Sequence, residues 1–179
     1  DYPHLGVAVQ AYLRDAEEDI LDLVNLAHER STPIAIRLVK GAYWEEEAGL
    51  AAREHWPSPV LLHKADTDAQ FERLARLLVE HSDCVHPVIA SHNPRSVACG
   101  LAACRAAGLP DTTIEWQVLL GMSQRLRKAL VQEGLRVRVY APVGDLATGM
   151  PYLARRMLET TSPESFLRLT GPSDKERER

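Results

Sequence analysis

Two arginines stand side by side at Arg155 and Arg156, preceded by Tyr152 and followed by Glu159. These four positions follow the i, i+3, i+4, i+7 spacing that places side chains on one face of a helix. Adjacent guanidinium groups repel unless an anion lies between them, and their planar fork suits a bidentate carboxylate. Glu159, one turn on, can hold either arginine in place. Tyr140 and Tyr152, on either side of a tight loop, can wall an apolar cup beside that clamp. The competing reading is an exposed, salt-bridged helix face. A third arginine, Arg37, lies inside the apolar run Ile34-Ala-Ile-Arg-Leu-Val39. Alternation along a strand sends Ile36 and Leu38 one way and Ala35, Arg37 and Val39 the other. Apolar residues on both faces predict a strand covered on both sides, as in a parallel sheet packed with helices. A permanent cation there is costly unless an anion or a hydrogen-bonding partner meets it. A bound anion and a structural salt bridge both satisfy that demand.

The elements that must position these groups alternate strand and helix. Strands are expected at Gly6–Tyr12, around Ile34–Val39, at His86–His92, at Glu115–Gly121 and at Val137–Tyr140. A helix from Asp15 to Arg30 carries acidic residues in its first turn and the apolar stripe Ile20, Leu23, Val24, Ala27, with Asp15 as N-cap. Glu45 to Glu54 reads as a helix ended by Trp56-Pro-Ser-Pro59. Lys64–Asp68 reads as a loop leading into a helix that runs to about His81. Asn93-Pro94 is an N-cap and N1 pair opening a helix that stops near Gly108. Ser123–Gln132 forms another, closed by Gly134, and the last long helix spans about Thr148–Thr160 with Pro151 in its first turn. The βα order admits an open doubly wound sheet or part of a β/α barrel. No GxGxxG or phosphate-loop pattern follows a strand, and Gly144 and Gly149 lack the lysine such a loop needs. Polar and aromatic residues instead gather near the C-terminal ends of the strands: Gln10 and Tyr12, Arg37, Ser91 and His92, Gln117, and Tyr140. In a β/α barrel that rim is where sites are built.

Composition narrows the remaining classes. The 179 residues suffice for one domain with a sizeable core. A net charge of -4 argues against a nucleic-acid partner or an anionic membrane surface. No apolar run reaches the length of a membrane span, and nothing reads as a secretory signal. Cys84, Cys99 and Cys104 form no CxxC pair and read as reduced, buried residues of a cytosolic protein. The histidines show no ligand spacing, so no metal is expected; Asp66 and Asp68 fit a helix start better than a metal pair. The chain begins at Asp1 and passes almost at once into a strand, as a piece of a longer protein would.

Taken together, Ile36-Arg-Leu-Val-Lys-Gly-Ala-Tyr-Trp44 and Tyr152-Leu-Ala-Arg-Arg156 resemble the two signatures of the proline dehydrogenase family, including the dehydrogenase domain of bifunctional proline utilisation A. Val9-Gln-Ala-Tyr12, Ala90-Ser-His-Asn93, Gln117 with Leu119, Gly121-Met122, Tyr140-Ala-Pro-Val-Gly144 and Glu159 with Ser165-Phe-Leu-Arg168 support the match in order along almost the whole chain.

The resemblance implies a distorted (β/α)8 barrel of the TIM type, of which about five βα units are present over residues 1–169. A charged tail at 170–179 is expected to be mobile. It implies FAD as cofactor and L-proline as substrate, oxidised to 1-pyrroline-5-carboxylate by hydride transfer to flavin N5, with a quinone as electron acceptor. By the same resemblance, Arg37 lies beside flavin N5, and Gln10, Lys40, Gly41, Ala42, Trp44, Ser91, His92 and Gln117 contact the cofactor. Thr67 and Asp68 fall near its adenosine side, and Glu159 supports both helix and cofactor. Arg155 and Arg156 clamp the substrate carboxylate, with Tyr140, Tyr152 and Leu119 around the ring.

Residues carrying the reaction would be Arg37, Tyr140, Arg155 and Arg156. A cytoplasmic location follows, with peripheral association at the inner face of the membrane left open. Ser91 departs from the threonine of many members. The lysine and aspartate that earlier strands of the family bring to the site have no counterpart here. Weak FAD binding or none is therefore expected of the chain alone, which needs the N-terminal half of the barrel from the same or another chain. The alternatives are a non-catalytic fragment and an aldolase or phosphate-using barrel. For the latter, Lys40 is the one candidate lysine, and alternation puts it on the wrong face.

Overall fold

The computed structural model describes residues 2–161, and the side chains of these except at 146, 148 and 156–161. Five strands alternate with helices: β1 (Gly6–Gln10), α1 (Ala16–Arg30), β2 (Ile34–Val39), α2 (Trp44–Arg53), α3 (Lys64–Glu80), β3 (Val85–Ala90), α4 (Pro94–Ala106), β4 (Glu115–Leu119), α5 (Gln124–Gln132), β5 (Arg136–Tyr140) and α6 (Leu146–Thr161). The expected tail at 170–179 and the Ser165–Arg168 match lie outside the described residues.

Every strand pair is parallel, and the sheet runs in the order of the chain, β1-β2-β3-β4-β5. A doubly wound sheet would reverse direction at a switch point. This one never does, which is the order of a partial TIM-type barrel.

Strand alternation explains the core. Ile34, Ile36 and Leu38 of β2, Ile89 of β3 and Trp116 and Val118 of β4 point outward under the helices and are buried. Ile20, Val24 and Ala27 of α1 and Phe71, Leu74 and Leu78 of α3 meet them in the same cluster. The opposite face carries Ala35, Arg37 and Val39, all half-buried. The expectation that β2 is covered on both sides thus holds on its helix side only. The other side is the inner surface of an unclosed barrel.

Three local expectations shift. Lys64–Asp68 is the start of α3 and not a loop, with His63 as its extended N-cap. The buried stripe Thr67, Gln70, Phe71, Leu74 begins with polar residues, which hid the helix start. Gln70 Nε2 donates to the Ala11 and Leu13 carbonyls, so its burial is satisfied. Asp15 stands at the start of α1 without a capping hydrogen bond from its side chain. Cys99 is half-buried, with only Cys84 and Cys104 buried among the three free thiols. By contrast Asn93 caps α4 as expected, accepting from the Arg95 N–H at 3.0 Å, with Pro94 following it.

Candidate active site

The C-terminal ends of β1 to β5 and the turn between β2 and α2 surround a cavity of about 590 Å³. Strand geometry decides which side chains enter it. Gln10 of β1 pairs in register with Val39 of β2, Ala90 of β3 with Gln117 of β4, and Leu119 of β4 with Tyr140 of β5. All of these line the cavity. So do Arg37, Lys40, Gly41 and Ala42 from β2 and its exit, Ser91 and His92 after β3, and Arg155 from α6. Arg155 and Arg37, far apart in sequence, therefore share one pocket.

The backbone holds this rim tightly. The pairing of β1 with β2 continues past the strand ends, Ala11 N donating to Val39 O at 2.8 Å and Tyr12 N to Lys40 O at 2.9 Å. Tyr12 is thereby buried against the turn at Gly41, and that burial raises the pKa of its phenol. Gly41 has φ +137°, and a Cβ there would stand 1.5 Å from Tyr12 Cδ1. Only glycine fits.

The wall of the cavity is cationic. Among the described lining residues Arg37, Lys40 and Arg155 are cations and none is a carboxylate. Lys40 is paired from outside by Asp68 near the start of α3, with its ammonium 5.6 Å from the centre of the Phe71 ring. Asp68 thus serves Lys40, and Asp66 stands in the first turn of α3. Arg37 has no carboxylate partner among the described residues, and its Nε is buried without a hydrogen bond. Its guanidinium carbon lies 5.8 Å from the Tyr140 ring, which in turn lies 5.9 Å from Tyr152. Arg155 stacks on Tyr43, guanidinium carbon to ring centroid 4.0 Å. His92 Nε2 accepts from the Leu119 N–H at 3.0 Å, so the neutral ring carries its proton on Nδ1.

Not every expected residue enters the cavity. Trp44 turns outward, its indole N–H donating to Leu61 O at 2.7 Å. Thr67 is buried on α3 and lies outside the lining. Tyr152 lines an adjoining cavity that shares Tyr140 with the first. The side chains of Arg156 and Glu159 lie outside the described residues.

Two features went unassigned in the sequence. Tyr43 sits inside the quoted signature, but nothing in its spacing showed that it would meet α6. Beneath the cavity, Glu115 is buried and accepts from Arg136 at 2.9 Å, from Arg138 at 2.7 and 2.8 Å and from Gln117 at 2.9 Å. These bonds, led by that from Arg138, hold the Glu115 carboxyl down to about 2. Period-two spacing, 115 with 117 and 136 with 138, was the signal for it. Starting β5 at Val137 left Arg136 out.

Comparison with known proteins agrees with this fold. The family model described as proline dehydrogenase matches residues 1–169. The chain belongs to the proline dehydrogenase family. It is 34% identical to the mitochondrial proline dehydrogenase 1 of Arabidopsis thaliana over 183 residues, covering 98% of this chain and 36% of that protein. It is 33% identical to proline dehydrogenase 2 of Bacillus subtilis, covering 92% of this chain and 48% of that one. The crystal structure of proline utilization A from Bdellovibrio bacteriovorus, inactivated by N-propargylglycine, superposes with a TM-score of 0.90 at 45% identity. That match covers 94% of this chain and 18% of the other. The chain thus spans about a third of the plant relative and less than a fifth of the bifunctional one.

Proposed function

We propose that the protein carrying this chain oxidises L-proline to 1-pyrroline-5-carboxylate with FAD as cofactor and a quinone as final electron acceptor. The observation that carries the reading is the cationic cavity: Arg37 and Arg155 open into one space whose described wall holds no carboxylate. A wall of this kind suits anionic ligands, and Arg37 offers one a buried Nε that has no hydrogen-bond partner. Two are proposed, the amino-acid carboxylate and the cofactor.

The wall fits a flavin in three respects. Arg37 presents a buried Nε with an unmet hydrogen bond. The Gly41-Ala42 turn, fixed by the packing of Gly41 on Tyr12, forms part of the cavity wall, and the ends of β3 and β4 are locked together by His92. Gln10, Arg37, Lys40, Gly41, Ala42, Ser91, His92 and Gln117 are the residues that would hold it. When bound, the flavin supplies the two-electron acceptor.

The chain's own residues bind and orient the substrate. Arg155 and Arg156 hold the carboxylate in this reading, and Tyr140, Tyr152 and Leu119 enclose the ring. Positioning of this kind lowers a barrier by several kcal/mol, about 7 to 11 in favourable cases. Arg37 stabilises negative charge that develops as the substrate is oxidised.

The test is proline-dependent dye reduction by the full-length protein, with its flavin quantified by absorbance. Arg155→Met is expected to raise KM for proline by about 10- to 100-fold, the loss of a charge-assisted contact worth about 1.5–3 kcal/mol. A flavin-loaded protein that does not reduce dye with proline overturns the reading, as does an unchanged KM.

A second reading concerns the chain by itself. With five strands and an open inner face, it is a fragment that performs no catalysis without the remaining barrel. Adding the N-terminal half and recovering activity separates that case from an enzyme complete in this segment.

A further inference from the structure

At the end of the sheet opposite the rim, three side chains of different donor chemistry converge. His28 comes from the last turn of α1, and Asp83 and Cys84 from the turn between α3 and β3. An imidazole nitrogen, a carboxylate oxygen and the thiol sulfur lie within 4.8 Å of one another. His28 and Asp83 are exposed and Cys84 is buried. We propose that His28, Asp83 and Cys84 bind a thiophilic divalent cation of the zinc class, with a water as fourth ligand.

The donor set selects the cation. Magnesium and calcium take oxygen ligands, whereas nitrogen, oxygen and sulfur together suit a borderline metal in four-coordinate geometry. Bonds of about 2.0–2.3 Å in a tetrahedron place neighbouring ligand atoms roughly 3.3–3.8 Å apart. His28 and Asp83 stand on the surface, where their side chains are free to close from within 4.8 Å to that spacing. Their exposed side also admits the water. As the sulfur–metal bond forms, the Cys84 proton passes to solvent and the cation stays divalent. Without the cation the Cys84 thiol donates to His81 O at 3.5 Å. Sequence spacing could not reveal the trio, because His28 and Cys84 lie on separate elements.

The location argues for a clamp. The end of α1 leads into β2 and the α3–β3 turn leads into β3, two strands paired in register. A cation between them ties adjacent strand entries on the face of a β/α barrel that serves stability rather than chemistry. Nothing in this depends on how the opposite rim is used.

Titration of the full-length protein with Co2+ tests the proposal. The expected result is one equivalent bound, with a thiolate-to-cobalt charge-transfer band, strong visible d–d bands of four-coordinate Co2+, and displacement by Zn2+. Cys84→Ser removes the charge-transfer band. His28→Ala, at an exposed position that leaves folding intact, weakens binding by at least roughly tenfold and leaves proline-dependent dye reduction unchanged. Excess Co2+ with no thiolate band, a band that survives Cys84→Ser, or unchanged affinity in His28→Ala overturns the proposal.

Discussion

The guanidinium of Arg155 stacks on the ring of Tyr43, at 4.0 Å from guanidinium carbon to ring centroid. This contact joins α6 to the turn between β2 and α2, two parts of the rim far apart in sequence. It also fixes the direction of the charge that is proposed to hold the substrate carboxylate. A cation–π contact of this kind contributes about 0.5–2 kcal/mol.

Tyr43→Ala is therefore expected to raise KM for proline by about tenfold, since about 1.4 kcal/mol corresponds to that factor. Tyr43→Phe keeps the ring face and is expected to stay within about twofold of the parent. Steady-state kinetics on the full-length protein measure both. Equal losses in the two variants would show that the hydroxyl, not the ring face, does the work.

Gly41→Ala is expected to destabilise the fold by about 2–4 kcal/mol, from backbone strain and overpacking together. The added Cβ would fall inside the Tyr12 ring, and φ is +137° there. Measured in a Tyr12→Ala background, which lacks the colliding ring, the added cost of Gly41→Ala should fall to the backbone strain alone. Urea unfolding midpoints decide it. A Gly41→Ala midpoint equal to the parent's would mean that the turn rearranges freely.

Glu115 makes stability depend on pH. Its carboxyl is held at about 2, against 4.5 ordinarily, chiefly by hydrogen bonds from Arg138 and also from Gln117 and Arg136. Because the folded pKa lies below the unfolded one, the unfolded chain binds the extra proton and stability rises with pH. The contribution is complete above about 4.5 and is lost as pH falls through about 2. Arg136 and Arg138 are more than half exposed, so solvent screening reduces it to about 2 kcal/mol. Glu115→Gln should unfold at lower urea at neutral pH and show a flatter pH profile below about 4.5. A profile that keeps the parent's slope would assign the acid sensitivity to other carboxylates.

Much of this arrangement could be read before any coordinates, and the reason is periodicity. Alternation in β2 put Arg37 opposite Ile36 and Leu38, and the sheet places it so. Residues at strand C-terminal ends were expected to share a rim, and Gln10, Ser91, His92, Gln117 and Tyr140 do. What escaped depends on contacts between distant elements. Asp68 reaches Lys40, Tyr43 reaches Arg155 and Glu115 gathers arginines from the next strand. The start of α3 escaped for another reason: Thr67 and Gln70 are buried polar residues, and the apolar pattern begins only at Phe71. Trp44 shows the limit of adjacency, since one residue past Tyr43 the chain has become helical and the side chain faces away.

The chain alone is expected to bind FAD weakly or not at all. Among the described residues β1 and β5 each pair on one side only, so both outer edges of the sheet lack a partner. The inner-face residues that would contact a ligand are half-open, with Tyr140 46% exposed. A cofactor seated there would keep much of its surface in water, and the site would lose the low-dielectric surroundings that strengthen its charge contacts. The unpaired edges also favour association between copies. The purified chain should therefore show little or no flavin absorbance, and addition of the N-terminal half should increase it. Stoichiometric flavin retained by the chain through gel filtration would show that these five strands complete the cofactor site without help.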